Sequence, residues 1–116
     1  MQTGYALITI SDARAYFAGA LSPARGDVFH LLADRPNTIG RHPDAMICIK
    51  DGMVASLHCE TWWSPDDGAF RIQDLRARNR TVINGSALSN GESRLLQPGD
   101  EVRIGQTVFR FDVIDG

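Results

Sequence analysis

Eleven of the twelve basic side chains in this sequence are arginines, and their placement is suggestive at two points: Arg41 directly after Gly40, and Arg76, Arg78 and Arg80 at every second position. A guanidinium is planar, permanently charged and forked, which suits two-pronged recognition of a carboxylate or a phosphate. Asn79, between Arg78 and Arg80, carries two amide donors and one carbonyl acceptor, the set needed to grip a peptide main chain. If the segment is extended, Arg76, Arg78 and Arg80 project to one side and form a basic patch with Arg41. If they pair instead with Asp74, Asp44 or Asp51, they serve only solubility, and such pairs add about 0–1 kcal/mol each. The sequence leaves both outcomes open.

Other constellations carry less chemistry. His58 has Ser56 two residues before it, and Asp51 and Asp74 are near in sequence. No Gly-x-Ser-x-Gly elbow, oxyanion loop or third orienting group accompanies them, so the chain reads as non-enzymatic. His42, Cys48, His58 and Cys59 match no closed tetrahedral spacing, and no metal is expected. Gly-x-Gly-x-x-Gly and Walker-type loops are absent from the sequence, which gives no support for a nucleotide or any other cofactor. Cys48 and Cys59 fall in strand-like segments outside any CxxC pattern and read as reduced thiols in a cytoplasmic setting.

The elements that must position these residues are strands. A chain of 116 residues has the length of a single domain, expected here over 1–116. With 43% hydrophobic and 22% charged residues, it has enough apolar surface to fold around one core. A net charge of −2 argues against nucleic acid as a partner held by bulk electrostatics. No apolar run approaches the roughly 18 residues of a membrane span, so no membrane insertion is expected. Apolar residues recur with period two between turn residues, which predicts an all-β sandwich of about ten strands in two antiparallel sheets. The expected strands are Tyr5–Ile10, Val28–Leu32, Asn37–Arg41, Met46–Ile49, Leu57–Trp63, Ala69–Asp74, Thr81–Gly85, Ser93–Leu96, Glu101–Gly105 and Thr107–Val113. The long connection from Ser11 to Gly26 is read as loop.

Several of these residues stand in a familiar order. Gly40-Arg41 follows an apolar strand; Val54-Ala55-Ser56-Leu57-His58 comes next; Asp74-Leu75 precedes Asn79, Thr81, Asn84 and Gly85; then follow Leu96, Gly99-Asp100, Ile104-Gly105 and Phe109. From about Val28 to Phe111 the chain resembles the forkhead-associated (FHA) domain, a β-sandwich family of ten to eleven strands that reads phosphothreonine peptides through its end loops. The resemblance implies that Arg41 clamps the phosphate, that Arg78 and Ser56 complete its shell, and that Asn79 holds the peptide backbone. Arg76 and Arg80 are accessory candidates. Gly40, His58, Asp74, Gly85, Gly99 and Asp100 are implied as scaffold.

Two departures from the family pattern bear on the phosphate. Where the family has Ser-Arg/Lys-x-His, this chain places Ala55 at the serine position and Ser56 at the basic one. Where the family has Ser-x-Asn-Gly-Thr, it reads Ala77-Arg78-Asn79-Arg80-Thr81. The implied partner is a protein or phosphopeptide, such as a Ser/Thr kinase substrate. The alternative is a scaffold of this fold that docks without phosphate in a larger bacterial assembly such as a secretion apparatus.

Overall fold

The computed structural model of the chain describes residues 3–12 and 22–115. Eleven strands form among them: β1 (Thr3–Ser11), β2 (Val28–His30), β3 (Asn37–Gly40), β4 (Ile47–Cys48), β5 (Cys59–Ser64), β6 (Ala69–Asp74), β7 (Val82–Ile83), β8 (Ser86–Ala87), β9 (Ser93–Leu95), β10 (Glu101–Ile104) and β11 (Thr107–Asp115). They build two sheets, in the orders β2-β1-β11-β10-β7-β8 and β4-β3-β5-β6-β9.

Side-chain alternation is what makes each strand two-faced. In β6, Phe70, Ile72 and Asp74 are buried while Ala69, Arg71 and Gln73 are partly exposed; in β10, Val102 and Ile104 are buried while Glu101 and Arg103 face solvent. The inner faces then meet, with Leu7, Val102, Phe109 and Phe111 from one sheet against Ile39, Phe70 and Ile72 from the other. Each such side chain contributes about 1.5–3 kcal/mol on burial. Tyr5 closes one end of this core, stacked on Phe111 with ring centroids 5.5 Å apart and packed edge-on against Phe70.

Three differences from the sequence reading have local causes. First, β3 and β4 run parallel, with Ile39 opposite Ile47 and Gly40 opposite Cys48, so the second sheet is mixed rather than wholly antiparallel. The chain arches over the sheet end between them, and Thr38 Oγ1 accepts the Met46 N–H at 3.0 Å to seat the returning strand. Second, Asn84 and Gly85 both have positive φ, 50° and 80°, as a tight reversal of the twisted hairpin type requires. They turn β7 into β8, a strand the sequence reading did not anticipate. Third, the expected strand at Met46–Ile49 is trimmed to Ile47–Cys48, and that at Leu57–Trp63 starts two residues later and runs one further, as Cys59–Ser64, because the residues removed belong to loops stitched to neighbouring elements. Most of the connection expected from Ser11 to Gly26 lies outside the described residues. Among the described residues no helix is long and apolar enough to cross a membrane.

Candidate functional site

The loop after β3, the loop between β4 and β5, the loop between β6 and β7 and the β10–β11 turn are tied together at one end of the sandwich. Gly40 makes the first tie. A Cβ there would land on the Ser56 carbonyl oxygen and lie 2.8 Å from the Ser56 carbonyl carbon, so only glycine lets the two backbones come this close. The approach is held by the Arg41 N–H on the Ala55 carbonyl at 2.9 Å, the His42 N–H on the Ser56 carbonyl at 3.2 Å and the His58 N–H on the Ile39 carbonyl at 2.9 Å.

Two buried carboxylates shape the remaining loops. Asp51 accepts the Met53 N–H on Oδ1 and the Gln106 N–H on Oδ2, each at 2.8 Å, which fixes the 51–54 turn against the β10–β11 turn. Asp74 accepts the Thr81 N–H at 3.1 Å and the Thr81 hydroxyl at 3.0 Å on Oδ1, and the Ala77 N–H at 3.3 Å on Oδ2. A carboxylate satisfied by three donors curls the chain between them, and Arg76 takes a positive φ of 60° within that curl. Farther along, Asp100 Oδ1 accepts from Asn84 Nδ2 at 2.9 Å, its Oδ2 accepts the Gln97 N–H at 2.8 Å, and the Gly99 N–H reaches the Phe111 carbonyl at 2.7 Å. With Gly85 in the β7–β8 turn, these residues brace the sandwich beside the loops.

The structure brings Arg41 and Asn79 onto the same short stretch of backbone. Arg41 Nε–H donates to the Val54 carbonyl and Asn79 Nδ2–H to the Met53 carbonyl, each at 3.0 Å. Both side chains are exposed. Arg78, Asn79 and Arg80 line an open recess with Met53, Arg103 and Gln106. Arg103 and Gln106 were not singled out in the sequence, where they sit in an unremarkable strand and turn. Arg76 lies elsewhere, beside Gln73, Leu75 and Gly91. The one-sided row expected of Arg76, Arg78 and Arg80 is therefore not formed, since the segment is curled rather than extended. Ser56 lines a separate recess with His42, Ala45 and Leu57, as expected of a side chain one position out of register with Ala55.

The charge pairing weighed in the sequence is also not what forms. Ion pairs among the described residues join Arg35 to Asp34, Arg71 to Asp67, Arg94 to Glu92 and Arg110 to Asp112. None involves Arg41, Arg76, Arg78, Arg80 or Arg103. Asp51 and Asp74 are committed to backbone and hydroxyl donors instead. Among the described residues the exposed arginines of the end loops thus stand without an ion-pair partner, which leaves their guanidiniums open to an approaching anion.

Cys48 and Cys59 are free thiols. Burial pushes the Cys59 thiol up to about 12, so it is no nucleophile near neutrality. Among the described residues no group of three or more His, Cys, Asp or Glu side chains is placed to hold a metal ion.

His58 sits at the centre of the scaffold. Its Nδ1 accepts the Ala55 N–H at 3.1 Å, which leaves the ring proton on the buried Nε2. Burial holds the imidazole below its ordinary 6.5, against opposing pulls from the Asp74 charge, the Asn79 backbone and the Asp51 charge. The unfolded chain therefore takes up a proton near pH 6.5 while the folded one resists it. In that window the unfolded state binds more protons, so stability rises with pH and is lost as the pH falls from about 6.5 toward the folded value. The denaturant midpoint is expected to drop between about pH 7 and about pH 5.5. His58→Asn, whose amide oxygen can replace the Nδ1 acceptor, is expected to flatten that slope; an unchanged slope would assign it to other groups.

Comparison with known proteins agrees with this fold. The FHA domain profile matches residues 37–105. The chain is 31% identical over 97 residues to mouse angiogenic factor with G patch and FHA domains 1, covering 78% of this chain and 14% of that protein. It is 36% identical over 86 residues to the glycogen accumulation regulator GarA of Mycolicibacterium smegmatis, covering 73% of this chain and 50% of GarA. This chain thus spans half or less of either relative. A solved FHA domain, studied for phosphothreonine-dependent interactions, superposes with a TM-score of 0.72 at 22% identity, covering 97% of this chain and 98% of its own. With the profile spanning Asn37 to Gly105 and the eleven-strand sandwich holding Gly40, His58, Asp74 and Asn79 where the loops join, the chain belongs to the FHA domain family.

Proposed function

We propose that this domain is a non-enzymatic interaction module that binds phosphothreonine-containing peptides at its end loops, with the phosphate on Arg41. The observation that carries the proposal is the convergence of Arg41 and Asn79 on the adjacent carbonyls of Val54 and Met53. Among the described residues Arg41 spends only Nε, on the Val54 carbonyl, which leaves the terminal nitrogens of the fork for phosphate oxygens. Asn79 spends one amide hydrogen, which leaves the other and its carbonyl for a peptide backbone. Arg78 adds charge beside Asn79. Ser56 opens toward His42, so the hydroxyl missing at Ala55 is replaced here by charge rather than by a neighbouring serine. The partner is a segment of another protein carrying phosphothreonine, as a Ser/Thr kinase substrate would.

Titration with matched phosphorylated and unphosphorylated threonine peptides tests this. A dianionic phosphate held by charge-assisted bonds contributes about 1.5–3 kcal/mol, so the phosphorylated peptide is expected to bind at least about tenfold more tightly, with an advantage that shrinks as salt rises. Equal affinity for the two peptides would reject the phosphate mechanism and leave docking without phosphate as the use of this surface.

A further inference from the structure

Met53 stands in the turn that both site side chains hold. Its carbonyl accepts Asn79 Nδ2–H and the next carbonyl, that of Val54, accepts Arg41 Nε–H, each at 3.0 Å. Its own N–H goes to Asp51 Oδ1 while the Gln106 N–H goes to Asp51 Oδ2, each at 2.8 Å, and Gln106 Nε2–H donates to the Met53 thioether sulfur at 3.3 Å. The carboxylate and the sulfur thus clasp the 51–54 turn to the β10–β11 turn at two points.

The side chain in that clasp is within reach of small oxidants. Met53 is 42% exposed, and it lines the recess with Arg78, Asn79 and Arg80. A thioether has two lone pairs, of which the Gln106 amide takes one; the other is a nucleophile toward peroxides. Attack on hydrogen peroxide forms a sulfur–oxygen bond and breaks the oxygen–oxygen bond. Sulfur gives up two electrons, its hydroxyl proton passes to the departing hydroxide, and water leaves. The added oxygen disturbs the site on either side of the sulfur. Toward Gln106, a nitrogen already 3.3 Å from the sulfur stands in its place, and the clasp must open. Away from Gln106, a strong acceptor enters a recess whose guanidiniums have no ion-pair partner among the described residues, and it draws one of them away from a ligand.

We propose that Met53 is an oxidation site, where conversion of the thioether to the sulfoxide by peroxide loosens the turn that holds Asn79 and lowers affinity for the phosphopeptide. This inference rests on the phosphopeptide reading above and adds a control to it. The control is reversible, since two thiols of a sulfoxide reductase can remove the oxygen as water while closing to a disulfide. Met46, 39% exposed, is a reference within the same chain, because it lies on the β3–β4 arch and outside the recess of Asn79.

The test treats the domain with hydrogen peroxide, then with dithiothreitol to return oxidised thiols, and locates added oxygen by peptide mass mapping. Met53 is expected to take up one oxygen, and affinity for a phosphothreonine peptide to fall about fivefold, as loss of about one hydrogen bond to the ligand would give. Methionine sulfoxide reductases, one for each sulfoxide epimer, are expected to restore it. Met53→Leu keeps the volume without the sulfur; measured against its own untreated affinity, it is expected to hold that value through the same treatment. Met46→Leu is expected to respond as the unaltered domain does. Met53 left unoxidised while Met46 converts would overturn the proposal. So would full conversion of Met53 with affinity unchanged or raised, or a loss that persists in Met53→Leu. The untreated domain tests the underlying reading separately: a phosphorylated peptide bound no better than its unphosphorylated counterpart before any peroxide would remove the phosphopeptide reading and this proposal with it.

Discussion

Gly40→Ala is expected to cost about 3–5 kcal/mol of stability, a large share of the 5–15 kcal/mol available to a typical domain. The added methyl would clash with the Ser56 carbonyl oxygen and come within 3.0 Å of the Ala55 carbonyl oxygen. Both obstacles are backbone, so no side-chain rotation relieves them. Nor can the backbone retreat freely. Retreat would break the hydrogen bonds from the Arg41 and His42 N–H groups to the Ala55 and Ser56 carbonyls, and it would strain the one from the Ile49 N–H to the Gly40 carbonyl at 2.8 Å. Overpacking costs about 1–3 kcal/mol, and each hydrogen bond forfeited adds about 0.5–1.5 kcal/mol. Urea denaturation of the two proteins measures the sum, and a midpoint shift equivalent to less than about 1 kcal/mol would contradict the geometry. Whatever fraction stays folded is expected to have lost its ordered end loops, and phosphopeptide affinity should fall with them.

Position 40 also marks how far the sequence could be read. Gly40-Arg41 at the end of an apolar strand was legible because it opens the order of residues that carries the FHA resemblance. The strands were legible wherever burial alternates over several residues, as in Phe70, Ile72 and Asp74. The pair Ser86–Ala87 has no such alternation, since both residues are exposed; only the Asn84-Gly85 turn signals that the chain comes back.

The arginine row failed for a different reason. Alternate spacing places side chains on one face only if the backbone is extended, and the Asp74 carboxylate, by gathering the Ala77 and Thr81 donors, prevents that. Nothing in the spacing of Arg76, Arg78 and Arg80 announces a carboxylate two residues before the row that bends it. Arg103 was invisible for a simpler reason. Its relation to Asn79 is made through β7 and β10 pairing, with Arg103 opposite Val82, and a single sequence gives no register between strands so far apart. Asp51 was read as a candidate ion-pair partner of the arginines; the amide it accepts, that of Gln106, is 55 residues away.

The second large effect falls on binding. Arg41→Gln is expected to weaken phosphothreonine-peptide affinity about tenfold to a hundredfold, because it removes both the charge and the fork that meets two phosphate oxygens at once. Its stability cost should be small, about 0.5–1.5 kcal/mol, since the exposed side chain makes one bond, Nε–H to the Val54 carbonyl. Arg41→Lys should fall between, supplying a point charge without the planar pair of donors. Ala55→Ser supplies the complementary change. Residue 55 is flanked by both key groups: its amide donates to His58 Nδ1 at 3.1 Å and its carbonyl accepts the Arg41 N–H at 2.9 Å. A hydroxyl there would add one neutral donor, about 1 kcal/mol or fivefold tighter binding. The two changes should not be independent, because the hydroxyl can reach only a phosphate that Arg41 has already drawn in. In the Arg41→Gln background the serine is therefore expected to give little or no gain, a coupling that a double-mutant cycle reads directly. Independent, additive effects would mean that residues 41 and 55 do not share a phosphate. An Arg41→Gln protein that binds phosphopeptide as well as the unaltered domain would move the anion site away from this strand end altogether.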